Sequence, residues 1–228
     1  MSSDVQPGGE FQHLQLKDRV YEYLRRGIIN GDFKVGTALR EVDISTSLNV
    51  SKTPVREAFV RLQKDRFVEL IPYRGAIVAG YTRRDLREVY EVRELVEGRC
   101  AARAAESRND ELYEALQRNV RETRKAIDEG KIDEVISLFE NFDRLIYSQC
   151  DNKWMNDIIN DLEGHQRRIG RLTVDIPGRI EHSLEEHERI WTAIVRQDAA
   201  AAEKHMRAHV RSVMGDQLEN FVGDEQNS

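Results

Sequence analysis

The stretch NVSKTPVREAFVRLQKDRF, residues 49–67, sets two hydroxyls, an ammonium and a proline on successive positions, Ser51, Lys52, Thr53 and Pro54, with Arg56 two residues further on. Ser51 or Thr53 can cap a helix here, and Pro54 suits its first turn, where the missing N–H has no partner to lose. The free N–H groups and positive dipole end of that turn suit an anion, above all a phosphate oxygen. Lys52 and Arg56 flank that end and Arg61 lies further along; an arginine can pair bidentately with guanine in a major groove. A solvated basic helix in an ordinary helical protein has the same charge and periodicity, so these residues alone leave both readings open. No nucleophile-with-base pattern, glycine-rich phosphate loop or H-E-x-x-H accompanies them, which argues against an enzyme.

Such a helix must be held by its neighbours. Val55, Ala58, Phe59 and Leu62 give it one apolar face, over about 52–65. Upstream, KDRVYEYLRRGIIN (17–30) repeats apolar residues at helical spacing, with a glycine-broken turn behind it. A short helix fits 40–48, and Asn49 can take the left-handed conformation that ends it. Downstream, two β-rich runs, 67–71 and 76–79, flank PYRG, which reads as a hairpin with Arg74 and Gly75 at its tip. Three helices and a hairpin in this order make the winged helix-turn-helix plan. From residue 82 onward only helical patterns appear, over 83–106, 109–129, 131–150, 153–173, 180–197 and 199–222. The expected fold is therefore mainly α. A tail at 1–10 precedes a DNA-binding domain at 11–80; an antiparallel six-helix bundle at 81–223 follows, then a tail at 224–228. The short join near Gly80 implies mechanical coupling of the two domains.

Charge divides at the same place. The 228 residues carry a net charge of −6, yet residues 14–80 hold 12 lysines and arginines against 8 acids, and residues 81–228 hold 23 against 31. Only the basic module is suited to a polyanion. No apolar run approaches the ~20 residues a membrane span needs. The start lacks the basic and apolar regions of a signal peptide. The two cysteines, Cys100 and Cys150, have no metal-ligand spacing, so a reducing cytoplasm is the expected compartment.

The segment LREVDISTSLNVSKTPVREAFVRLQKDRFVELIPYRGAIV closely resembles the N-terminal domain of the GntR family of bacterial transcription regulators. The usual wording there is V-S-R-T-P-V-R-E-A-L followed by R-G-x-x-V. The resemblance covers about 14–79 and implies that Ser51, Lys52, Thr53, Pro54 and Arg56 contact operator DNA, with Arg74 and Gly75 in the wing. Lys52 stands where arginine is usual, exchanging a bidentate fork for a point charge. Val42 stands where a DNA-contacting arginine is common, and the neighbouring Arg40 can take its place.

Residues 83–215 resemble, more loosely, the FCD effector domain of one branch of that family. The resemblance implies a homodimeric regulator, most often a repressor, controlled by a small metabolite such as an organic acid. It also implies a divalent metal of the Zn, Ni or Mn class, commonly held by one Asp and three His. Here Phe139 falls at the usual Asp position and Asp143 at the first His position. His187 and His209 match the other two, giving a three-ligand set with open coordination sites. His165 is placed to add a ligand or a hydrogen bond; His13, His182 and His205 match nothing. Arg93 and Glu97, one helical turn apart, fall at family pocket positions with Arg168 near the same cavity, so an arginine clamp for an effector carboxylate is expected. The alternatives are an internal ion pair, a metal-free pocket, a metal sensor, or a metal-dependent enzyme on the same Asp/His site.

Overall fold

The computed structural model describes residues 8–72, 74–171, 173 and 176–221, with side chains from residue 16 onward. The expected tails at 1–7 and 224–228, and the side chain of His13, lie outside them. The chain divides into two compact units, Met1–Gly80 and Tyr81–Ser228.

In the first unit, α1 (Gly8–Asn30), α2 (Glu41–Ser47) and α3 (Lys52–Lys64) accompany three strands, β1 (Ala38–Leu39), β2 (Val68–Ile71) and β3 (Gly75–Val78). The apolar stripe of α1, at Val20, Tyr21, Leu24, Ile28 and Ile29, meets Val55, Ala58, Phe59 and Leu62 of α3 in one core, which Leu39, Val68, Ala76 and Val78 close from the sheet. Two details go beyond the expected plan. Residues 8–10 belong to α1 rather than to a tail: the glutamate, glutamine and leucine residues that follow are good helix formers, and extending a formed helix backward costs little per residue. The hairpin is part of a three-stranded antiparallel sheet in the order β1-β3-β2, with Leu39 opposite Ala76 and Leu70 opposite Ala76 from the other side. A two-residue strand shows no periodicity and is legible only through its partner.

The turns are set by capping geometry. After α2, Asn49 takes φ 51°, while the Val50 N–H donates to the Ser45 carbonyl and the Asn49 N–H to the Thr46 carbonyl. This is a Schellman ending, and it stops α2 so that α3 can start at a new angle. Arg66 (φ 59°) ends α3 in the same way, with the Phe67 N–H on the Leu62 carbonyl.

The second unit comprises α4 (Arg83–Glu106), α5 (Asp110–Asp128), α6 (Ile132–Tyr147), α7 (Lys153–Gly170), α8 (Arg179–Val195) and α9 (Ala199–Glu219). Thr82 and Asp85 form a reciprocal capping box that starts α4. The buried alanines 101, 102, 104 and 105 of α4 let α9 and α8 pack close, around a core that includes Leu116, Phe142, Ile146, Ile169, Ile190, Ile194 and Met206. The helices enclose a cavity of about 340 Å³.

Candidate functional site: a cationic helix end and a polar cavity

On the first unit, Ser51 holds the N-cap position of α3 but its side chain makes no capping hydrogen bond. The first-turn N–H groups are thus left without a capping oxygen. Ser51, Lys52 and Thr53 are exposed at this end, as are Arg40 before α2 and Arg74 in the β2–β3 turn. Among the described residues Arg40, Lys52 and Arg74 have no ion-pair partner. Arg56 is exposed as well, and its Nε donates to Glu41 Oε2 at 2.8 Å.

Pro54, Gly75 and Arg61 each have a role within the unit itself. Pro54 is buried with Val55 and shapes the turn from within. Gly75 is buried in β3 at φ 106°, and a Cβ there would lie 2.2 Å from the Leu39 carbonyl oxygen, so only glycine lets β1 approach β3. Arg61 is tied back to α1: its Nη1 donates to Asp18 at 3.0 Å and its guanidinium lies over the Tyr21 ring at 3.8 Å. The missing side chain at Gly75 and the periodicity around Pro54 carry these signals, but a shared motif does not separate contacts from supports.

On the second unit, the cavity is lined by Tyr90 and Arg93 of α4, Phe139, Asp143 and Tyr147 of α6, Gln166 of α7, Arg179 and His187 of α8, and His209 of α9, among others. Most of its polar groups are spent on one another. Arg93 Nε donates to Glu97 Oε1 at 2.6 Å, and both side chains are buried, so this pair is internal. Gln166 Nε2 donates to the Tyr147 hydroxyl at 2.9 Å and, more weakly, to Glu97 at 3.3 Å and Asp143 Oδ2 at 3.4 Å. Arg179, absent from the expectations, is the most heavily bonded: to Ser183 at 3.0 Å, Ser212 at 2.8 Å, Asp216 at 2.6 Å and Glu186. An arginine in the first turn of a helix opposes the dipole, and Glu186 lies two turns along the same face. That conflict was the available signal.

Glu186 also accepts from His209 Nδ1 at 2.8 Å. Burial works against its charge, but hydrogen bonding and charge from His209, then Arg179 and Ser212, outweigh it and hold the carboxyl at about 2. Burial pushes the His187 imidazole well below its usual range, with His209 and Arg179 adding to the effect, so the ring is neutral. It stacks on Phe142 at 4.1 Å and meets Phe139 edge-on at 4.9 Å. Burial, then Glu97, pushes the Asp143 carboxyl up to about 8.

The expected metal set does not assemble. Asp143, His187 and His209 line one cavity, yet among the described residues no group of three or more His, Cys, Asp or Glu side chains is disposed to hold a metal ion. Phe139 occupies space beside His187, His209 is turned onto Glu186, and the Arg179 guanidinium supplies the local positive charge. His165 does not line the cavity: its Nδ1 lies 2.6 Å from the Tyr81 hydroxyl. Arg168, also outside the lining, stands over the Tyr81 ring at 5.1 Å. Gln166 and Arg167 of α7 and Arg171 just after it line the cavity.

Comparison with known proteins agrees with the two-unit fold. Residues 16–78 match the bacterial regulatory proteins of the gntR family, and residues 88–212 match the FCD domain. The HTH-type transcriptional repressor RspR of Escherichia coli strain K12 is 29% identical over 198 residues, 87% of each chain. The uncharacterized HTH-type transcriptional regulator YdhC of Bacillus subtilis strain 168 is 32% identical over 193 residues, 83% of this chain and 85% of its own. A solved GntR transcriptional regulator from Rhodococcus sp. RHA1 has the same fold, with a TM-score of 0.73 over 90% of this chain and 98% of its own at 23% identity. No helix among the described residues is long and apolar enough to cross a membrane. The chain belongs to the GntR family of bacterial transcription regulators and is a DNA-binding regulator carrying an FCD domain, not an enzyme.

Proposed function

We propose that the protein is a cytoplasmic, homodimeric repressor whose hold on a palindromic operator is set by a small metabolite with an acid group, bound in the cavity of the second unit. The observation that carries the DNA half is the cluster of exposed cations around the uncapped start of α3: Lys52 and Arg56 on the helix, Arg40 before α2 and Arg74 in the wing. In this reading Ser51, Thr53 and the free N–H groups take phosphate oxygens, Arg56 reads a base edge, and Pro54 and Gly75 act as supports. A dimer presents two such helices to two half-sites.

For the effector half, Arg93 lines the wall, held there by Glu97, and the acid group falls to Arg171, whose Nε is buried without a hydrogen-bond partner. The metabolite changes operator affinity only if it binds one state of the regulator better than the other, a coupling typically of about 1–3 kcal/mol. The side chains bind it directly; among the described residues the metal-sensor and metal-enzyme alternatives have no assembled ligand set to build on.

The test is fluorescence anisotropy of a labelled promoter fragment from the protein's own genome, titrated at low ionic strength with wild type and Lys52→Ala. Tight wild-type binding weakened in the variant supports the reading. Equal binding by both refutes the role given to α3.

A further inference from the structure

The charges lining the cavity do not all cancel. Arg93 is taken by Glu97, Arg179 by Glu186 and Asp216, and Arg167 by Glu140. What remains has both signs. Arg144 and Arg171 line the cavity with no ion-pair partner among the described residues, and so do Asp143 and Glu163. Two of these four have a polar atom shut off from solvent with no hydrogen bond: Asp143 Oδ1, an acceptor, and Arg171 Nε, a donor. A buried polar atom left unpaired is costly, and the group that pairs with it gains that cost back on binding. A plain carboxylate pairs with Arg171 and leaves Asp143 orphaned. It also brings negative charge beside Glu163, which lines the same cavity.

We propose that the cavity takes a small zwitterion, with a protonated amine on Asp143, an acid group on Arg171, and an apolar body between them. This rests on the ligand-controlled reading above and narrows it from organic acids to amino-acid-like compounds. The volume agrees: about 340 Å³ is room for on the order of eleven waters at ~30 Å³ each, suited to a compact metabolite. Ile136, Phe139, Ile159, Ile180 and Val213 supply the apolar wall. Glu97 and Arg93 of α4, Glu140, Arg144 and Tyr147 of α6, and Gln166 of α7 surround Asp143; the first of these, together with burial, favours its neutral form. A cation beside it favours the carboxylate, so taking up an ammonium sheds a proton.

The experiment uses the full-length protein and two five-carbon series as probes. One comprises 5-aminopentanoate, 5-hydroxypentanoate and pentanoate; the other comprises norvaline, 2-hydroxypentanoate and pentanoate. Binding is read by calorimetry, and operator release by anisotropy. The expected result is that an amino compound binds at least about tenfold more tightly than its hydroxy and unsubstituted counterparts. Asp143→Asn should erase that ratio while the acids still bind, and Arg171→Gln should weaken every acid. If Asp143→Asn does not fold, the wild-type ranking alone decides. Equal binding of pentanoate and the amino compounds overturns the proposal and leaves ligand control standing. Binding by none of the probes also overturns it. A cell metabolite extract then separates the two failures: release of the operator by the extract sinks only the zwitterion, and no release sinks ligand control as well.

Discussion

Arg56 and Glu41 make a 2.8 Å ion pair in which the arginine is 63% exposed. An exposed pair of this kind is worth about 0–1 kcal/mol, whereas a bidentate guanine contact is worth about 1–3 kcal/mol of discrimination. On the proposed reading the base edge wins, and Glu41 aims the guanidinium until DNA arrives. Arg56→Ala should weaken operator binding by about 5- to 150-fold while leaving the thermal midpoint within a few degrees, as anisotropy and circular dichroism would show. Glu41→Gln should tighten binding to unrelated DNA more than to the operator; a loss of operator affinity would mean that the pair is needed in the complex. At the cavity, Asp143 gives a pH dependence of known sign. Its carboxyl is raised to about 8 when folded, against about 3.9 in an unfolded chain. The folded state therefore holds the extra proton, and the stability this gives is full below about pH 4 and lost as pH rises through 8. Urea titrations across that range should show wild type losing stability relative to Asp143→Asn as the pH rises; a constant difference would contradict the assignment.

Among the elements, β1 is the one the sequence hid, and it explains Gly75. The positive φ of 106° and the Leu39 carbonyl 2.2 Å from any Cβ act together. Gly75→Ala should cost the first unit at least the ~1–3 kcal/mol of a strained backbone position, read as a lowered urea midpoint, with wing-dependent DNA affinity falling alongside. Unchanged stability would show that β1 gives way. The long helices were legible because their apolar repeats run for many turns: α4 was expected over 83–106 and spans Arg83–Glu106. Asn49 was legible for a local reason, since its side chain tolerates the left-handed conformation that the α2 ending requires. The cavity was less legible. Helical periodicity alone does not show which side of α7 turns inward, where Gln166 lines the cavity and its neighbour His165 does not. Nor does a motif show that an arginine is already paired, as Arg93 is with Glu97.

For the whole molecule, the proposed reading gives the phosphates to the basic module and the small metabolite to the acidic one. Operator affinity should fall linearly with salt on logarithmic axes, and each phosphate-contacting cation removed should reduce the slope by about 1. Zinc, nickel or manganese added to chelator-treated protein should leave the thermal midpoint unchanged, because the Asp143, His187 and His209 side chains are engaged with Gln166, the aromatic rings and Glu186. A rise of several degrees with any one metal would show that the cavity rearranges to bind it. The most direct measurement of the central claim is the salt-dependent anisotropy titration of the protein's own promoter fragment with wild type and the Lys52→Ala/Arg56→Ala double variant, both checked for fold and oligomeric state. The account predicts tight wild-type binding, and for the variant a loss of well over tenfold together with a shallower salt slope. Equal affinity and equal slope for the two proteins would contradict it.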